Sequence, residues 1–264
     1  MARKFVITSG KGGVGKTTVC ANIGASLARQ KQRVCILDVD IGLNNLDVVM
    51  GIEQQIVFDL IDCIEGKCRL KQALIQDFNE PYLYILPSTQ SLNNTKISKS
   101  QIKSIVDELS YSFDFILIDC PAGIDLGFHR AVFSASEAIV VTTPHISAIK
   151  DASKVVDILS TYELCSVNLL INRVRGDLIA DKTMLSVDEI AKVFDATLIG
   201  VVPEDDGIIS ALNFGGAVGT SSKSSRAFSL IANNIIYGNF DVINFQKEYK
   251  GLWGYLKRKI KRSI

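Results

Sequence analysis

The chain has 264 residues, 47% hydrophobic and 22% charged, with 29 Lys and Arg against 28 Asp and Glu. That suits one large domain, or one domain with a small appendage, around a sizeable core. A net charge of +1 gives no global sign of a nucleic-acid partner, although the last eighteen residues are strongly basic.

Short apolar runs alternate with helical patterns along the chain. Phe5 to Thr8 reads as a strand, followed by a Gly-rich turn and a helix from about Lys16 to Gln30. Val34 to Leu37 is a second strand ending on Asp38, Phe58 to Ile64 a short helix, and Leu83 to Leu86 a strand closed by Pro87. A helix over Ile102 to Leu109 precedes the strand Phe115 to Ile118, which ends on Asp119. Ala138 to Val141, Val167 to Ile171 and Leu198 to Val202 are further strands, with helices over Ser147 to Leu159 and Arg226 to Tyr237. Gly215 to Ser225 reads as an exposed Ser/Gly-rich loop, and Gly238 to Gln246 as a linker.

These strands are continuous apolar runs, which indicates burial on both faces. The expected fold is α/β: a doubly wound, mainly parallel sheet flanked by helices. Right-handed crossovers place the C-terminal strand ends on one edge, where ligands bind. Asp38, Asp119, Thr142, Asn172 and Pro203 all fall near such ends.

The N-terminal residues lead straight into a strand too short for the core of a signal peptide. No stretch approaches a membrane-spanning length, so a cytoplasmic protein is expected. The six cysteines are Cys20, Cys35, Cys63, Cys68, Cys120 and Cys165, with no CxxC pair and only His129 and His145 to join them. Buried, reduced thiols are expected rather than a metal site. Cys63 and Cys68 are close in sequence, and nothing in the sequence gives them a role.

Gly10-Lys11-Gly12-Gly13-Val14-Gly15-Lys16-Thr17 matches the phosphate-loop pattern at every specified position, with a strand before it and a helix after it. Its glycines let backbone N–H groups turn toward phosphate oxygens, and the helix N-terminus adds to that field. Lys16 is placed to reach the β- and γ-phosphates, Thr17 to ligate Mg²⁺, and Thr18 to meet the α-phosphate. Asp119, closing Phe115 to Ile118, has the Walker-B pattern for Mg²⁺, directly or through water. Asp38 and Asp40 alternate around Val39 and point the same way; either can orient an attacking water, or both are simply solvated. Lys11 is an extra lysine: either a surface cation, or one that reaches the phosphates of a facing subunit.

The segment Lys11 to Thr18 resembles the deviant Walker-A motif of the ParA/MinD family of ATPases. Asp38 to Gly51 resembles the switch I of its septum-site branch, and Asp119-Cys120-Pro121-Ala122-Gly123-Ile124 its switch II. Leu86-Pro87-Ser88 and Gly200 to Asp205 are also similar, and the likeness runs from residue 2 to the end. This resemblance implies a P-loop ATPase that uses ATP and Mg²⁺ and dimerises on ATP. Lys11 then acts across the dimer, Asp40 serves hydrolysis, Asn45 senses the γ-phosphate and Gly123 meets it through its backbone. Asn172 reads adenine, with Pro203, Glu204 and Asp205 on the other side of the base. Asp151 faces the partners, the division inhibitor MinC and the activator MinE or an equivalent topological factor. Gly215 to Gly219 and His145 depart from the better-known members.

The C-terminal tail can be read independently. At about 100° per residue from Leu252, Leu256 falls at about 40°, Tyr249 at about 60°, Ile260 at about 80°, Trp253 at about 100° and Ile264 at about 120°. Lys250, Lys257, Arg258, Lys259, Lys261 and Arg262 occupy the remainder, and Ser263 intrudes on the apolar arc. An apolar face with Trp opposite a basic face fits a helix lying on anionic lipid.

The expected organisation is an ATPase domain over residues 1–240 and a linker with a membrane-targeting amphipathic helix over 241–264. The expected function is an ATP-dependent, membrane-associating ATPase that regulates septum placement from the cytoplasmic face of the cell membrane, with no specific nucleic acid. A flagellar-number regulator and a DNA-partition ATPase are the rivals, and the cysteine spacing argues against an iron–sulfur carrier.

Overall fold

The strands are runs of Val, Ile, Leu and Phe without polar alternation because both of their faces are covered. Every residue of the second, fifth and sixth strands is buried. The structure is a computed structural model that describes residues 2–42, 45–88, 97–249 and 254.

The first half of the described chain comprises β1 (Arg3–Thr8), α1 (Lys16–Arg29), β2 (Val34–Asp38), α2 (Leu46–Met50), α3 (Leu60–Ile64), α4 (Leu70–Ala73), β3 (Ile75–Gln76), β4 (Leu83–Leu86), α5 (Lys99–Leu109) and β5 (Phe115–Asp119). The second half comprises α6 (Leu126–Ser134), β6 (Glu137–Thr142), α7 (Ile146–Leu159), β7 (Ser166–Val174), α8 (Gly176–Ala180), α9 (Val187–Ala191), β8 (Thr197–Pro203), α10 (Asp206–Phe214) and α11 (Lys223–Tyr237). The sheet runs β3-β4-β2-β5-β1-β6-β7-β8. All pairings are parallel except β3 with β4, which is antiparallel.

The chain steps from β1 to β2 in one direction and from β5 to β6 to β7 in the other. Right-handed crossovers therefore place α1 on one face and α6 and α7 on the opposite face. Accordingly α11 packs on α1, and α5 packs on α6. Arg3 ties the far ends of β1 and β6 together, donating through Nε and Nη2 to the two carboxylate oxygens of Glu137 at 2.8 and 2.6 Å.

Capping residues move several helix starts from the positions that periodicity suggests. The helix expected from Phe58 begins at Leu60, because Asp59 Oδ1 accepts from the N–H groups of Ile61 and Asp62. The helix expected from Ile102 begins at Lys99 behind Ser98, and the last core helix begins at Lys223 behind Ser222.

The 215–225 stretch is the expected exposed loop only in part: Gly219 to Ser221 are exposed, but the residues on either side are fixed to the body. Gly216 N–H donates to the Val49 carbonyl at 2.7 Å, and Val218 N–H to Asn22 Oδ1 at 2.8 Å. Val218, Ser224 and Ser225 are buried. Gly215 must be glycine there: its φ is +71°, and a Cβ would lie 2.7 Å from the Gly51 Cα. The segment read as a linker also lies on the body. Asn234 Nδ2 donates to the Asp241 carbonyl at 2.7 Å, and a Cβ on Gly176 would meet the Phe245 carbonyl oxygen at 2.3 Å. Tyr249, placed above on the apolar arc of the tail, is instead buried at the end of a short 3-10 turn, Lys247–Tyr249. Leu252, Trp253, Leu256, Lys257, Arg258, Lys259, Ile260, Lys261 and Arg262 lie outside the described residues. Among the described residues no helix is long and apolar enough to cross a membrane.

Candidate nucleotide site

The loop between β1 and α1 is held open by its neighbours. Gly13 and Gly15 take φ of +77° and +93°, and Gly10 lies so close to α7 that a Cβ would sit 2.2 Å from the Asp151 backbone. Ser9 Oγ donates to the Lys11 carbonyl at 2.8 Å, and the Ser9 carbonyl accepts from Gly123 N–H at 3.3 Å. The loop is thereby joined to the segment after β5. Neither the N-cap Gly15 nor any acidic side chain in the first turn caps α1. Its first N–H groups and its positive end are left for an anionic ligand.

Lys16 is buried at the start of α1, with Thr17 and Thr18 partly exposed beside it. Asp38 and Asp119 are register partners across β2 and β5, and both are buried. Burial, and then the neighbouring Asp119, push the Asp38 carboxyl well up, against the Asp40 N–H that donates to its Oδ1 at 2.8 Å. Burial likewise pushes Asp119 up to about 6, with Thr17 and Lys16 pulling it back. Its Oδ1 is buried with no hydrogen-bond partner. A solvent-shielded carboxylate oxygen left unsatisfied beside a threonine hydroxyl and a lysine fits a divalent cation with its bound phosphate. Asp40 is half-buried and raised by burial, with Lys16 lowering it.

The remaining sequence-predicted positions gather on the same edge. Asn45 opens α2, although Leu43 and Asn44 of switch I lie outside the described residues. Gly123, with φ of +89°, has open space where a side chain would be. Asn172 is buried at the end of β7, where its Nδ2 donates to the Val14 carbonyl at 2.8 Å and its Oδ1 accepts from Arg173 N–H. It stands so near Gly15 that a Cβ there would meet Nδ2 at 2.6 Å. Pro203 closes β8 and Glu204 N–H donates to the Val174 carbonyl.

Asp205 plays a different part from its neighbours. Its carboxylate takes the Gly207 N–H at 3.0 Å and both the N–H and hydroxyl of Ser224 at 2.8 Å, joining α10 to α11. Burial works upward on this group, but those donors hold it below the usual carboxylate range. A cavity of about 300 Å³ opens alongside, lined in part by Val174, Arg175, Asp177, Glu204 and Tyr249.

Lys11 is exposed, and its Nζ donates to Ser147 Oγ at 3.2 Å in the first turn of α7. Asp151 lies one turn further along that helix, partly exposed, with its backbone against Gly10 and its Oδ1 3.5 Å from Lys154. Sequence reasoning missed Ser9, Ser147 and Asn22. Asn22 was findable as a polar residue inside an otherwise apolar segment; no sequence signal singles out Ser9 or Ser147.

A profile of the ParA family, described as the NUBPL iron-transfer P-loop NTPase, matches residues 1–236. The septum site-determining protein MinD of Bacillus subtilis is 42% identical over 261 residues, 97% of each chain. In the MinC:MinD cell division protein complex of Aquifex aeolicus, a chain 34% identical superposes with a TM-score of 0.85, covering 92% of this chain and 98% of its own. MinD of Pyrococcus horikoshii complexed with Mg-ADP is 32% identical with a TM-score of 0.81, over 89% of this chain and 96% of its own. On these likenesses and on the site described above, the chain belongs to the ParA/MinD family of P-loop NTPases, in its septum site-determining branch.

Proposed function

We propose that this protein is an Mg²⁺-dependent ATPase that dimerises on ATP, docks on the cytoplasmic face of the cell membrane and places the division septum by bringing MinC there. MinE or an equivalent factor stimulates hydrolysis and release. The observation that carries this reading is the pair of lysines in one loop. Lys16 is buried at the cradle, and Lys11 is exposed at its rim beside α7.

Thr17 and Asp119 would hold Mg²⁺, which supplies charge neutralisation on the phosphates when bound. The uncapped start of α1 and the loop N–H groups hold the phosphates, and Lys16 balances their charge. Asp40, whose carboxyl lies within electrostatic reach of Lys16, is positioned to orient water for in-line attack. Lys11 completes the phosphate site of a facing subunit.

Apolar side chains ring this edge: Ile124 and Leu126 after β5, Ile146 at the start of α7, and Ile209 and Phe214 on α10 are all exposed. Such a ring around a charged site suits a surface covered by a second copy. The solved complex of a relative with MinC supports the choice of partner. The cysteine spacing, with no CxxC pair, argues against the iron transfer for which the matching family profile is described.

Light scattering with ATP·Mg²⁺ tests the proposal on wild type and Lys11→Ala. The wild-type chain is expected to dimerise and hydrolyse ATP. Lys11→Ala is expected to bind nucleotide yet remain monomeric and inactive. A Lys11→Ala chain that dimerises and turns over normally overturns the trans role.

A further inference from the structure

Cys63 lies in the last turn of α3, one residue before its end, and Cys68 stands two residues before α4. The chain reverses between them through Gly66 at φ +72°, with Gly66 N–H donating to the Cys63 carbonyl and Lys67 N–H to the Asp62 carbonyl. This turn brings the two Sγ atoms to 3.5 Å, van der Waals contact. Both residues are half-buried rather than sealed in the core, whereas Cys20, Cys35 and Cys120 are fully enclosed. They open on a cleft whose walls include Arg69, Gln72, Ile105 and Glu108.

We propose that Cys63 and Cys68 are a reversible dithiol–disulfide couple, a modification site that exchanges with low-molecular-weight disulfides while the chain stays folded. Two thiols already in contact across a glycine turn need only a small local movement to bond. Burial, and then the contact with Cys68, push the Cys63 thiol up to about 12, and either sulfur of the touching pair can open the exchange. One cysteine thiolate attacks one sulfur of the small disulfide, forming a mixed disulfide and releasing one small thiolate, which takes up the proton that cysteine gave up. The other cysteine sulfur then attacks the cysteine sulfur of the mixed disulfide, its proton passing to the second departing thiolate. Two cysteine thiols and one small disulfide thus become one intrachain disulfide and two small thiols.

The test uses the full native chain, oxidised glutathione, intact mass and peptide mapping. The expected product links Cys63 to Cys68 with the loss of two hydrogens, carries no glutathione on either of them, and reverts with dithiothreitol; the exposed Cys165 is followed separately in the peptide map. Cys20 and Cys35 should stay unmodified over the same interval. Cys63→Ser should instead retain one glutathione on Cys68. The idea is overturned if the native wild-type chain keeps a stable mixed disulfide on Cys63 or Cys68, or if the pair closes only in denaturant. The wild-type peptide map alone separates these results, whatever the folding of the variant.

Discussion

Replacing Asp119 by asparagine separates the burden a buried carboxylate places on the fold from its value to the site. In the nucleotide-free chain this carboxyl is pushed from 3.8 up to about 6 by burial, next to Asp38 and with one oxygen unpartnered. A carboxyl whose folded value is raised binds its proton more tightly when folded. Stability from this group is therefore complete below the unfolded value and declines as pH rises from about 4 to about 6. At about 1.4 kcal/mol per pH unit, the burden at neutral pH is on the order of 3 kcal/mol, shared with Asp38 because the two titrate together. Asparagine keeps the shape and removes the charge. Urea denaturation of the nucleotide-free Asp119→Asn chain at neutral pH should give a higher midpoint than wild type, with an unfolding free energy larger by up to ~3 kcal/mol. The gap should close near pH 4, and Mg-nucleotide should no longer stabilise the variant. A variant less stable than wild type at neutral pH, with unchanged nucleotide response, would refute the reasoning.

Gly10→Ala drives a Cβ into the Asp151 backbone, 2.2 Å away, which cannot rotate aside. The unfolding free energy from urea denaturation should fall by about 1–3 kcal/mol, with nucleotide affinity reduced as the loop is displaced; an unchanged midpoint contradicts the packing. Asn172→Ala removes the 2.8 Å tie to the Val14 carbonyl in a buried setting. It should lose about 1–3 kcal/mol of stability, and calorimetry should show weaker binding of adenine nucleotides with reduced preference over other bases. Retained preference would take base reading away from Asn172.

Much of this arrangement was legible because its signals are local. The runs at Val34 to Leu37 and Phe115 to Ile118 are apolar on both faces, and a phosphate loop is specified by its own glycines and lysine. What stayed hidden depends on tertiary partners. The helix Asp206–Phe214 carries Ile209 and Phe214 on an exposed side, so core periodicity does not mark it. The two-residue strand Ile75–Gln76 exists only through its pairing with β4. The 215–225 stretch looks like a loose loop by composition, yet Val49 and Asn22 fix it from distant segments. Asp205 resembles a base-loop residue in sequence, while its carboxylate is spent on α10 and α11. The sulfur contact of Cys63 and Cys68 follows from a turn whose conformation composition does not announce.

In the proposed function, nucleotide state is converted into membrane attachment. One basic amphipathic helix binds a bilayer weakly, and two presented together gain about 10²–10⁴-fold through effective concentration. Co-sedimentation with vesicles containing anionic lipid measures this directly, comparing ATP with ADP for the full chain and for a chain ending at Gln246. The account predicts pelleting of the full chain with ATP·Mg²⁺, little with ADP, and none for the shortened chain with either nucleotide. Equal pelleting with ATP and ADP, or pelleting that survives truncation, would contradict it.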